Sequence, residues 1–286
     1  MNRLTMTDLI KRYQHALNND FPDRVKVYGD RLKNCHASAK AEAVLFSFFD
    51  TKVDDVCLEE STEKGGVDFR CKIDETEFVA EVTHLESENV ACASGLKNEI
   101  ESRVGSYKPI THLLRSKVSS KTKQMSGYDC PRILVITSDH QAATILMSHK
   151  IAAERLLTSD TKISIPNPTS NLKSSHGFET SLEESVFFRF KKGTDEIESC
   201  RQSISAILLS AICKFDMRIV GLLHPAPMHK FPIQYLPSTP FVRLKEWPLE
   251  NRVIHTEWVT YERRGQGGIV LALRRSKRYS LMKGRS

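Results

Sequence analysis

Apolar and polar positions alternate along this chain with two periods, and the switches between them outline its elements. "MNRLTMTDLIKRYQHAL" breaks its apolar residues with charges as an amphipathic helix does, and "SAKAEAVLFSFFD" (38–50) sets Ala41, Leu45, Phe48 and Phe49 at helical spacing. Residues 53–58, "GVDFRCKI" (66–73) and "TEFVAEVTHL" (76–85) predict three strands, the last two joined by a hairpin turn at Asp74 and Glu75. A polar stretch leads into "THLLRSKVSSKTKQM" (111–125), whose apolar spacing predicts a helix in a long basic segment interrupted early by Pro109. "PRILVITSD" (131–139) predicts a buried strand, and "QAATILMSHKIAAERLL" (141–157) a helix.

The next stretch, residues 159–185, is rich in Ser, Thr, Asn and Pro and predicts a long loop or insertion. Beyond it "SVFFRFKK" alternates as a strand, "SCRQSISAILLSAICKF" (199–215) predicts an apolar helix, and "MRIVGLLHP" another strand. "PFVRLKEWP" and "RVIHTEWVTYE" add strands, and "RRGQGGIV" (263–270) predicts a hairpin turn flanked by arginines. No internal repeat is visible. With 286 residues the chain buries a sizeable core, and the pattern suits one core with additions. The expected organisation is an N-terminal helical segment (1–37), a mixed α/β core (38–158), the loop or insertion (159–184), and an α/β extension with a basic tail that completes the sheet (185–286).

Composition changes this picture little, whereas charge changes it more. The chain is 40% hydrophobic, as soluble globular proteins are, and no apolar run is long enough to span a bilayer. The charged N-terminal helix does not read as a secretory signal, so a cytoplasmic location is expected. The formal net charge is +7. Between Gly95 and Arg132, 8 Lys or Arg face 3 Asp or Glu, and between Glu262 and Ser286, 8 face 1. Such clusters suit a polyanion, since phosphate contacts give sequence-independent affinity, and each equally suits a solvated helix face or a disordered tail.

Several chemistries are excluded. The 7 cysteines are scattered without a Cys-x-x-Cys pair, which argues against a zinc knuckle or disulfide framework and for small core residues. No Gly-x-Ser-x-Gly elbow marks a serine hydrolase, and no cysteine sits in an activating context. "RRGQGGIV" lacks the Gly-Lys-Ser/Thr ending of a phosphate loop. His84, His224, His229 and His255 form no metal-ligand pattern, and alternation sets His84 on the face opposite Thr83. "HPAPMHKFP" and "LPSTPF" read as proline-ordered loops suited to shaping a groove or a partner surface.

The carboxylates carry the main chemical signal. Asp68 lies at the start of one strand and Glu81 within the next, and antiparallel pairing about the intervening turn brings their side chains together where register and faces agree. Magnesium prefers hard oxygen ligands and keeps several waters, so two carboxylates suffice, with the Val82 carbonyl as a further ligand. Other readings exist for each residue. Asp68 also suits a turn cap after two glycines, Glu81 could alternate toward solvent, and Glu42 fits an exposed helix face.

At these residues the chain resembles the PD-(D/E)XK nuclease superfamily, whose fold is that of restriction endonucleases. "GGVDF" supplies Asp68, "AEVT" supplies Glu81, and "KAEAV" supplies Glu42 as the helical glutamate; the order of elements over residues 38–138 also matches. The resemblance implies a mixed sheet flanked by helices and Mg2+-dependent phosphodiester hydrolysis, with Mn2+ as a substitute and DNA as the expected substrate. A defence or repair role fits such a protein. The departure is Thr83, where the family carries the lysine that orients or helps deprotonate water and stabilises transition-state charge. Two explanations compete. Either the cation has moved to the basic helix, where Lys121 or Lys123 reaches the site and Gln124 orients water or phosphate, or catalysis is lost and the domain binds nucleic acid without cutting it. Under the first, Thr83 at most hydrogen-bonds a water or ligand and Glu42 acts from outside the metal's own ligands. A homodimer or partner subunit suits double-strand cutting, and a structural or assembly role for the whole chain is the third expectation.

Overall fold

The computed structural model describes residues 5–59, 66–98, 108–159, 161–164, 177–180, 185–194, 196–212, 217–249, 253–264 and 268–281. Three helices lead: α1 (Met6–Asp20), α2 (Pro22–Asn34) and α3 (His36–Asp50). Thr5 caps α1 in a reciprocal box with Asp8, satisfying donors that the first turn leaves free. Strands β1 (Asp55–Leu58), β2 (Phe69–Ile73) and β3 (Thr76–Leu85) follow, with Asp74 at φ 50° in the turn that reverses the chain.

The alternation that predicted β2 and β3 reflects two covered faces of one sheet. A mixed sheet runs in the order β1-β2-β3-β4-β9-β10-β11-β12-β13-β6-β5, with β4 (Arg132–Ser138) parallel to β3 and β9 (Ala206–Ile212) parallel to β4. On one face α1–α3 cover Phe69, Phe78, Ala80, Ile133, Val135 and Leu208. On the other, α5 (Lys108–Lys121), α6 (Gln141–Ser148) and α7 (Lys150–Thr158) cover Val79, Leu134, Ile136, Ile207 and Leu209, with Val90 of α4 (Ser87–Ser94) alongside. The architecture is therefore α/β, a large mixed sheet flanked by helices, as expected.

Several local expectations are corrected. "SCRQSISAILLSAICKF" does not form a helix: its apolar heart is β9, buried on both faces between β4 and β10 (Met217–Leu223). A strand covered on both faces has no solvent-facing side, so its residues run almost continuously apolar and lose the period that marks strands. Pro109 does not interrupt the basic helix but begins it, since α5 starts at Lys108 and a first-turn proline lacks only a donor that needs no partner. The helix expected over 141–157 is two helices broken at His149, whose backbone is extended. The loop expected over 159–184 holds two short strands, β5 (Thr161–Ser164) and β6 (Gly177–Thr180), at the sheet's far edge. β7 (Phe188–Phe190) and β8 (Ile197–Ser199) form a separate small ribbon.

β11 (Phe241–Leu244) pairs parallel to β10, and β12 (Val253–Arg264) forms a long hairpin with β13 (Gly268–Leu281). Much of the basic C-terminal stretch is thus strand and not tail; the turn of that hairpin and residues 282–286 lie outside the described residues, as does part of the basic cluster, 99–107. Gly221 is required where β10 meets β11: a Cβ there would lie 2.2 Å from the Phe241 ring. Among the described residues no helix is long and apolar enough to cross a membrane. Cys71 and Cys130 are buried as small core residues, whereas Cys35 and Cys92 are exposed.

Candidate functional site

The pairing of β2 with β3 stops at Phe69↔Ala80, and the site begins where it stops. Beyond that point the N–H of Val82 is taken by a side chain, donating to Asp68 Oδ2 at 2.6 Å. Asp68 lies deep in the molecule, yet part of its surface reaches solvent. Burial first, then the charges of Glu81 and Glu42, raise its carboxyl well above the ordinary range, against the Val82 N–H and Lys121, which lower it.

Glu81 sits on β3 with Val79 and Leu85 pointing to the same side, that of α5. It is 3% exposed, so the solvent-facing alternative does not hold. An ionised carboxylate at such a position needs donors, and two converge on it. Lys121 at the end of α5 reaches Glu81 Oε1 at 2.6 Å, and Gln124 Nε2 donates to Oε2 at 3.1 Å. Burial still outweighs these partners and holds the Glu81 carboxyl above its ordinary value.

Gln124 ties the parts together. Its Nε2 also donates to the Gly66 carbonyl at 2.6 Å, and its Oε1 accepts from Lys121 Nζ at 2.9 Å. The single-turn helix that presents it, Gln124–Gly127, is held from below by Arg132, whose guanidinium donates to the carbonyls of Met125 and Ser126. The strand start carrying Asp68 is anchored in the same way, by the Val67 N–H donating to the Tyr128 hydroxyl at 3.0 Å. Three separate pieces of chain, each fixed by buried contacts, therefore meet at Glu81.

Glu42 arrives from the opposite face on α3, 4% exposed and so not a solvent-facing residue. It is gripped by Arg31 of α2 through both oxygens, one at 3.1 Å. Burial raises the Glu42 carboxyl, while Arg31 and the more distant Lys121 lower it. Arg31 was not apparent from the sequence, because α2 reads as an accessory segment before the core. Tyr13 and Tyr28 pack edge to face at 4.9 Å beside the same carboxylates, and burial followed by the Glu42 charge raises both phenols. No local signal marks these three residues, since they reach the site only through the packing of α1 and α2 on α3.

Of the residues singled out from the sequence, Asp68, Glu81, Glu42, Lys121 and Gln124 come together, and Val82 joins them through its N–H. Thr83 is buried two residues beyond Glu81, where alternation places it on the same face. Lys123 is exposed in the turn after α5 and makes no contact with the carboxylates among the described residues. His84 lies opposite, buried, with Nδ1 2.8 Å from Thr137 Oγ1 and Nε2 3.3 Å from Asp139. Among the described residues no three His, Cys, Asp or Glu side chains lie in a group already spaced to hold a metal ion. The cluster as it stands is three carboxyl groups against two cations, with burial and the neighbouring carboxylates favouring the protonated form of Asp68. No family model, no curated protein and no solved structure matches this chain.

Proposed function

We propose that the chain is a metal-dependent nuclease of the PD-(D/E)XK kind with a restriction endonuclease-like core, hydrolysing phosphodiester bonds in nucleic acid, DNA by family analogy. One observation carries the reading: Lys121, forty residues downstream, sets its ammonium 2.6 Å from Glu81 on the face shared with Thr83. That is the charge threonine lacks, delivered from a helix instead of the strand.

The residues fit a hard divalent cation by the chemistry of their donors. Buried carboxylates raised by burial and by one another gain from a dication, and among the described residues nothing donates to Asp68 Oδ1. Asp68 and Glu81 would hold Mg2+ or Mn2+, with the Val82 carbonyl as a further ligand and Glu42 outside them. When bound, the metal lowers the pKa of a water and neutralises charge on the scissile phosphate. Lys121 places positive charge beside the phosphoryl oxygens as the P–O bond to the attacking water forms and the ester P–O bond breaks. Gln124, fixed by Gly66 and Lys121, orients the water or a phosphate oxygen through its amide. Arg31 favours the ionised form of Glu42 and holds it in place.

A second reading rests on a different feature of the same cluster. Both Glu81 oxygens already have donors, Lys121 and Gln124, as expected of a nucleic-acid-binding module that has lost its metal. Cleavage separates the two. A panel of single-stranded and duplex DNA and RNA is incubated with Mg2+, Mn2+ or chelator, with wild type beside Glu81→Ala and Lys121→Met. Metal-dependent cutting should disappear in Glu81→Ala and fall about 100-fold or more in Lys121→Met. Nucleic-acid binding without cutting by wild type selects the silent module, and neither binding nor cutting ends both readings. Sedimentation with duplex reports whether a homodimer or partner subunit is needed.

A further inference from the structure

A second concave site lies where β9 begins and where β10 and β11 end. Its cavity of about 360 Å³ is lined by Ser205, Leu223, His224, Pro225, Pro227, Lys230, Phe231, Arg243, Leu244, Lys245 and Trp247, within the range of pockets that take small organic ligands. Its walls are packed aromatic rings. Trp247 stacks on Phe188 with ring centres 5.0 Å apart, and Phe231 is wedged against Phe78, Tyr235 and Phe241. Both nitrogens of His224 are engaged: Nε2 donates to the Cys200 carbonyl at 2.9 Å and Nδ1 accepts from the Ala226 N–H at 3.0 Å. His224 is therefore part of the wall.

The charge at the rim is of one sign. Arg243 is neutralised by Glu257, at 2.7 Å. Lys230 and Lys245 are exposed and neither pairs with a carboxylate among the described residues. Aromatic rings and two exposed lysines lining one cavity suit an aromatic ring that carries an anion, the chemistry of a nucleotide.

The pocket is joined to the carboxylate site through few residues. Arg132 donates its backbone N–H to Ser205 Oγ in the pocket wall, while its guanidinium holds the turn that presents Gln124. Ser203 Oγ donates to the carbonyl of Thr122, next to Lys121. His229, beside Lys230, lies 3.3 Å from Asp129. Lys123 is exposed in the turn between α5 and the Gln124–Gly127 helix.

We propose that this pocket holds one nucleotide unit of the strand whose phosphate is addressed by the carboxylate site, its base against Trp247 and Phe231 and its phosphate between Lys230 and Lys245. The inference deepens the nuclease reading and rests on it only for the identity of the strand. The test therefore measures binding without cleavage. A labelled single-stranded oligonucleotide is titrated by fluorescence anisotropy into Glu81→Ala protein with chelator present, beside the same protein carrying Lys230→Ala and Lys245→Ala. Replacing the lysine pair should weaken binding about tenfold or more and make the slope of log K against log salt less negative by roughly 0.7, one single-strand phosphate contact. Trp247 fluorescence should be quenched on binding, and Trp247→Phe, which keeps a ring on Phe188, should abolish that quench while retaining the fold. Unchanged affinity and slope in the lysine variant overturn the proposal. So does saturable binding of thymidine monophosphate that leaves oligonucleotide affinity untouched, which would make this a site for free nucleotides. Loss of cleavage in Lys121→Met bears on the nuclease reading alone, because the binding measurement is made with chelator in the Glu81→Ala background, where no cutting is read.

Discussion

Arg31 and Glu42 illustrate how single residues set the energetics of the site. Glu42 is 4% exposed and depends on the guanidinium for its charge. Arg31→Ala leaves that carboxylate without its cation and should lower stability by roughly 2–3 kcal/mol in urea denaturation, with much of the loss recovered by adding Glu42→Gln. An unchanged midpoint in Arg31→Ala would mean that the pair is dispensable. His224 is the clearest titrating residue outside the site. Burial holds its pKa down at about 4, against an ordinary 6.5. A histidine with a depressed folded value binds fewer protons folded than unfolded, so stability rises with pH between the two values. The wild-type chain should therefore lose up to about 3 kcal/mol between pH 6.5 and 4, and His224→Gln, which retains a donor and an acceptor, should lose less over that window. Thermal melts across that range decide it, and parallel pH profiles for the two proteins would exclude His224 as the cause.

At the scale of elements, β10 and β11 meet in close contact at Gly221. Leu208, Gly221 and Phe241 share one layer, and Phe241 is itself wedged against Phe231, 6.0 Å between ring centres. Gly221→Ala should cost about 1–3 kcal/mol, because the ring has no free space to move into. Adding Phe241→Leu should return part of that, a coupling measurable as a double-mutant cycle. Additive effects would show that the strands relax independently. The same layer explains β9. A strand covered by α6 on one side and by Phe231 and Phe241 on the other carries apolar residues at every position but Ser210, so only its neighbours reveal its conformation.

For the whole molecule, the net charge of +7 sets the expected behaviour toward polyanions. Affinity for nucleic acid should fall linearly in log K as log salt rises, with little dependence on base sequence, since the excess charge reads phosphates. Anisotropy titrations from low to physiological salt test this, and a flat dependence would assign the excess charge to solubility.

Much of the fold was legible in the sequence because it depends on local period. The helix at 38–50, the hairpin through Asp74 and the buried strand at 131–139 follow from residues whose partners lie within a few positions. So did the suspicion attached to Asp68 and Glu81, since an aspartate and a glutamate flanking a tight turn are brought close by the register of one hairpin. Lys121 was named only as one of two candidates, and the choice over Lys123 depends on where α5 ends against β3. Arg31, Tyr13 and Tyr28 carried no signal, because their partners lie across a helix-to-helix contact that no local pattern encodes. The sequence by itself determined the two-sided sheet and the carboxylate pair. Tertiary structure alone decided that β9 is a strand, which helices cover each face, and which cation meets Glu81, because each of those depends on contacts between residues far apart in the chain.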